Sequence, residues 1–105
     1  MIPYIDRLNK FQTKQKTTMA IIILNHDVKD FASWKHLYDA DVDRRINAGF
    51  KELAVGTKSD NPNTVYMIWE GDPAILDKMM SDPGLKEKMD EAGVISPPEF
   101  TIVNT

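Results

Sequence analysis

The chain has 105 residues, 42% of them hydrophobic and 28% charged, with a formal net charge of −3 and no cysteine. That length holds one domain, and the lack of cysteine excludes a disulfide framework, a thiolate nucleophile and any cysteine-based zinc site. A reducing compartment suits such a composition, so the expected location is cytoplasmic.

Charge divides the chain. Residues 1–18 carry Arg7, Lys10, Lys14 and Lys16 against Asp6, whereas residues 19–105 are acidic overall. An acidic body repels phosphate backbones, so nucleic acid is not an expected partner. Residues 1–18 read as an N-terminal extension, flexible or weakly helical. Ile2, Ile5, Leu8 and Phe11 form one thin stripe, and residues 12–18 are polar. No signal-peptide core is visible there, and the longest apolar run, 19–24, is far too short to span a bilayer. A membrane is therefore not an expected partner either, and the folded domain is expected to span 19–105.

Residues 19–26 are β-rich and apolar, a first strand. Asp30 is placed to cap a helix that carries Phe31, Trp34, Tyr38, Val42 and Ile46 at steps of three and four. Gly49 stops it. Residues 51–58 alternate Leu53, Val55 and Thr57 with Glu52, Ala54 and Gly56, and the turn-forming run 59–63 joins this second strand to a third at 64–70. Asp72-Pro73 opens a further helix, which Asp82-Pro83 restarts. Its expected buried positions are Ile75, Leu76, Met79 and Met80, then Leu85, Met89 and Ala92. Gly93 ends it, and Pro97-Pro98 leads into a last strand, 99–103. The order β-α-β-β-α-β predicts an α+β, ferredoxin-like domain: a four-stranded antiparallel sheet with its helices on one face.

Helices on one face leave the other open, yet three strands are apolar on both sides. Ile21 and Ile23 oppose Ala20, Ile22 and Leu24; Tyr66 and Ile68 oppose Val65, Met67 and Trp69; Val103 opposes Phe100 and Ile102. A second apolar face of that extent predicts a homodimer formed through the sheet.

Several motifs fall in a recognisable order. Asn25-His26-Asp27-Val28-Lys29-Asp30-Phe31 follows the first strand, then Trp34-Lys35 and Tyr38-Asp39. Arg44, Arg45 and Gly49 close the helix, and Asp60-Asn61-Pro62-Asn63 makes the hairpin. Ser81-Asp82-Pro83-Gly84-Leu85-Lys86 and Glu91-Ala92-Gly93-Val94 come last. With these, residues 19–104 resemble the dimeric α+β barrel superfamily, in a small subgroup related to antibiotic-biosynthesis-monooxygenase-like proteins. The wider superfamily holds cofactor-independent monooxygenases, haem-degrading enzymes, lactone isomerases and non-catalytic stress proteins. The resemblance thus implies a dimeric barrel with a pocket between sheet and helices, and two classes of function. One is a barrel that binds a small apolar, aromatic or polyketide-like ligand, as an oxygenase, isomerase or cyclase. The other is a non-catalytic homodimeric stress or accessory module.

His26 is the candidate catalytic residue, because a neutral imidazole at the pocket accepts a proton from a phenolic substrate. Asn25, Trp34, Tyr38, Tyr66 and Trp69 are the candidate ligand-binding residues, although aromatic side chains at this spacing also suit a plain core. Phosphate-binding and nucleophile-elbow motifs are missing. His26 and His36 lack metal-ligand spacing, so no metal is expected. Asp39, Asp41 and Asp43 cannot share one helix face and read as solvated surface beside Arg44 and Arg45. The haem-degrading members combine an Asn, a Trp and a His. Asn25 and Trp69 match the first two, but residues 73–92 contain no His to ligate iron, and no cofactor is expected. A ligand site requires a cavity of roughly 300 Å³ or more.

Overall fold

The sequence pattern of a hydrophobic strand followed by a capped helix is realised twice in the computed structural model, which describes residues 19–105. The expected extension at 1–18 lies outside the described residues. In chain order the elements are β1 (Ala20–Asp27), α1 (Phe31–Ala40), α2 (Val42–Asn47), β2 (Lys51–Lys58), β3 (Asn61–Gly71), α3 (Pro73–Met80), α4 (Pro83–Glu91) and β4 (Glu99–Asn104). The strands make one sheet in the order β2-β3-β1-β4. Every neighbouring pair is antiparallel, as the ferredoxin-like arrangement requires.

Register decides which side chains meet. Ile22 lies opposite Trp69 and Ile102, Leu24 opposite Met67 and Phe100, and His26 opposite Val65. Paired residues share a face, and successive residues take opposite faces. On the helix side, Ile22, Leu24, Val65, Met67 and Trp69 are buried against Trp34, Tyr38 and Leu76. Burying each large apolar side chain contributes roughly 2 kcal/mol. On the other side none of the described helices covers the sheet. Ile21, Ile23 and Ile68 are half-buried there, and Tyr66 and Val103 are exposed.

Three aspartates start the helices as their sequence context dictates. Asp30 accepts from the Ser33 amide, Asp72 from Ala74 and Asp82 from Gly84, each at 2.9 Å. Each carboxylate satisfies an amide that has no partner inside the helix. The end of β1 is tied to the segment after α4. The Asp27 amide donates to Ser96 Oγ (2.8 Å), Ile95 N to the Asp27 carbonyl (2.9 Å) and Lys29 N to the Gly93 carbonyl (2.9 Å).

The structure corrects three local expectations. The first helix is two helices, broken at Asp41, whose amide is shared between the carbonyls of Leu37 and Tyr38 at 3.2 Å each. This tightened turn re-aims α2. Val42 and Ile46, expected on the buried stripe, are exposed, and Arg45 is buried in their stead. In β2 the register slips between Glu52 and Ala54, a bulge that sets Glu52 opposite Trp69. Leu53 leaves its expected alternation and is exposed. On α3, Leu76 faces the core and Ile75 is exposed; Met79 and Met80 are half-buried.

Geometry requires glycine at Gly49 and Gly93, both of positive φ, and at Gly71. Gly49 follows α2 at φ 85°, a left-handed conformation that other residues rarely adopt. At Gly71 the Phe50 ring fills the space that a Cβ would need.

Candidate functional site

A cavity of about 160 Å³ lies between the sheet and the helices. β1 presents Leu24 and His26 to it, α1 presents Trp34 and Tyr38, and β3 presents Met67 and Trp69. Met79, Met80, Leu85 and Met89 close it from α3 and α4. Flexible thioethers fill irregular space and make favourable contacts with aromatic rings. Asp41, Arg44, Arg45, Lys88 and Glu91 supply its charged lining.

The aromatic side chains form a ladder. His26 meets Trp34 edge-on, with ring centroids 5.5 Å apart and planes at 76°. Trp34 stacks on Tyr38 at 4.7 Å and 25°. The guanidinium carbon of Arg45 lies 3.6 Å from the centre of the Tyr38 ring. Both groups approach at stacking distance, so they occupy opposite faces of that ring. The Tyr38 hydroxyl accepts from Trp69 Nε1 at 2.9 Å and donates to Glu52 Oε1 at 2.9 Å. Burial pushes the phenol well above its ordinary pKa, while the Trp69 bond and the Arg45 charge pull the other way. Tyr38 therefore remains a neutral phenol that fixes the orientation of the Trp69 indole.

His26 is 5% exposed, and its Nδ1 is buried with no hydrogen-bond partner. Such an orphaned atom is rare in folded proteins and costs free energy. Burial lowers its pKa below the ordinary imidazole value; contact with its own main chain and the charge of Asp27 act in the opposite direction. Asp27 itself is engaged by Thr64, whose hydroxyl donates to Oδ1 at 2.7 Å. The imidazole is neutral at pH 7, and its ring forms part of the cavity wall.

Four of the candidate site residues meet at this cavity: His26, Trp34, Tyr38 and Trp69. Asn25 and Tyr66 do not. Each is the strand neighbour of a cavity residue, Asn25 of His26 and Tyr66 of Met67, so each lies on the opposite face. There they pair with one another across β1 and β3. His36 is exposed, and Asp41 accepts from Arg44 Nε at 3.0 Å. Among the described residues no group of three or more His, Asp or Glu side chains is placed to hold a metal ion.

Arg45 was read from sequence as surface, and the structure corrects this. It is 7% exposed. Its spacing from Tyr38 offers no signal, because the turn at Asp41 interrupts the helical repeat between them. At 160 Å³ the cavity is about half the roughly 300 Å³ expected for drug-sized ligands. A dry cavity of about 150 Å³ nonetheless takes a benzene ring. The space suits one ring.

No family model matches the sequence, and no curated protein is significantly similar to it. Solved structures are similar in fold. A conserved protein from Methanosarcina mazei has 17% identity and a TM-score of 0.62, over 85% of this chain and 94% of that one. A NIPSNAP family protein from Agrobacterium tumefaciens has 14% identity and a TM-score of 0.61, over 87% and 91%. A proposed antibiotic biosynthesis monooxygenase from Nitrosomonas europaea has 10% identity and a TM-score of 0.54, over 89% and 95%. Likeness at such low identity shows the fold and nothing finer: the chain has the ferredoxin-like α+β fold found among monooxygenase-like and NIPSNAP proteins.

Proposed function

We propose that this domain binds a small, single-ring aromatic compound in the cavity between sheet and helices, with His26 as its hydrogen-bonding partner and base. One observation carries the reading: a buried imidazole on the wall of a cavity that aromatic rings also line. A phenolic guest that bonds the imidazole gives up its proton to it. The ring then becomes electron-rich, the property on which cofactor-free oxygenation, isomerisation and cyclisation all draw. Asp27 supports the imidazolium formed, and burial returns the proton once the reaction is over.

The open face of the sheet has a different role in this proposal. Ile21, Ile23, Ile68, Tyr66 and Val103 meet the same face of a second copy, giving a two-fold dimer with one cavity in each subunit. A standard interface of roughly 800 Å² a side is within reach of a four-stranded sheet.

The test uses the tryptophans. The chain has two, and both line the cavity. Titration with phenol and its simple alkyl derivatives is expected to change their fluorescence saturably. His26→Gln, which keeps a hydrogen-bonding group and removes the titration, is expected to fold and to bind at least tenfold more weakly. Unaltered binding by that variant removes His26 from the site. A wild-type protein that responds to no phenol favours the second reading, a non-catalytic homodimeric module, to which the small cavity also points.

A further inference from the structure

The wall of the cavity also carries a cation. Arg45 is buried, and among the described residues no carboxylate lies within ion-pairing distance of its guanidinium. A cation so enclosed, with no counter-ion among the described residues, favours an anionic guest. Glu91 lines the same cavity and makes no ion pair with Arg45, and three other acids are committed elsewhere. Asp41 pairs with Arg44 at 3.0 Å, and Glu52 accepts from the Tyr38 hydroxyl at 2.9 Å. Asp82, across the chain, is the other partner of Arg44 at 3.3 Å. The Tyr38 ring supports one flat face of the Arg45 guanidinium, which fixes its plane and leaves the N–H edge unbonded. A fixed planar fork of N–H donors matches a carboxylate in bidentate geometry.

We infer that Arg45 anchors an anionic group and that the ligand is a small aromatic carboxylate. This rests on the binding reading above and narrows it. His26 and Arg45 stand at the two ends of one stacked row, His26–Trp34–Tyr38–Arg45. A single aryl ring with a carboxylate at one end and a hydroxyl at the other satisfies both. The cavity volume matches one ring.

The probe pair is 4-hydroxybenzoate and 4-hydroxybenzamide, equal in shape and different in charge, titrated at pH 7 against the full chain and followed by tryptophan fluorescence. The acid is expected to bind at least tenfold more tightly than the amide. Arg45→Met is expected to erase that preference while retaining amide binding, and Arg45→Lys to keep part of it. Should Arg45→Met fail to fold, the acid-to-amide ratio in the wild type and in Arg45→Lys still decides. Equal affinities for acid and amide in the wild type overturn the anion anchor and leave the aromatic site standing. Binding of neither compound, nor of any phenol, overturns both. Sedimentation of Arg45→Met covers the other source of a counter-ion. If the substitution converts a dimer to monomers, the carboxylate belongs to a second copy and the inference fails.

Discussion

His26 is held on β1 with its ring edge-on to Trp34, so burial governs its protonation. Its pKa is lowered in the folded chain, which means that the unfolded chain takes up the proton first as pH falls. Stability is therefore complete above the ordinary imidazole value of about 6.5 and declines below it, until the folded imidazole is protonated as well. Urea midpoints measured from pH 7.5 to 5 are expected to fall for the wild type and to stay flatter for His26→Gln. Identical profiles contradict burial as the cause. Tyr38 works through its hydroxyl, so Tyr38→Phe strands the Trp69 N–H in a buried position. The expected cost is about 1–3 kcal/mol in urea unfolding. A loss below about 0.5 kcal/mol would show that the Tyr38 hydroxyl does not hold Trp69 in place. At this scale the sequence was half legible. His26, Trp34, Tyr38 and Trp69 could be read as a set, because a strand and a helix with clear periodicity carry them. Asn25 and Tyr66 could not be placed, because both faces of β1 and β3 are apolar and alternation alone does not say which face the helices cover. Arg45 was hidden by its charge.

Elements follow their caps and stops closely. Asp72 accepts from the Ala74 amide ahead of a first-turn proline, and the same dipeptide recurs at Asp82-Pro83. Asp72→Ala is expected to lower stability by about 1 kcal/mol, read as a shift in the urea midpoint without a change in slope. A shift in slope would mean that α3 detaches before the rest. Element order and strand pairing were legible because turn-forming residues separate every apolar run: Asp30, Gly49, the 59–63 hairpin, Gly93 and Pro97-Pro98. Two breaks within elements were not. The turn at Asp41 and the bulge between Glu52 and Ala54 carry no glycine or proline, and each arises from packing that periodicity does not describe. Both shape the site, since one buries Arg45 and the other brings Glu52 to the Tyr38 hydroxyl.

At the scale of the molecule the sheet has two unlike faces. The helix face forms the cavity, and the open face is the one proposed to meet a second copy. Ile23→Lys places a charge on the open face and is expected to convert a dimer to monomers in sedimentation, because a buried unpaired charge is not tolerated at an interface. A wild-type chain that sediments as a monomer at micromolar concentration contradicts the dimer. None of the described helices is long and apolar enough to cross a membrane. The most direct measurement of the central claim is a nuclear magnetic resonance titration with 4-hydroxybenzoate, then with phenol. It follows the indole N–H signals of Trp34 and Trp69, the His26 imidazole, and Tyr66 as a reporter of the open face. The account predicts that both indoles and His26 shift together and saturate at one ligand per subunit, while Tyr66 stays still. No saturable shift with either compound, or shifts confined to Tyr66 and its neighbours, would contradict it.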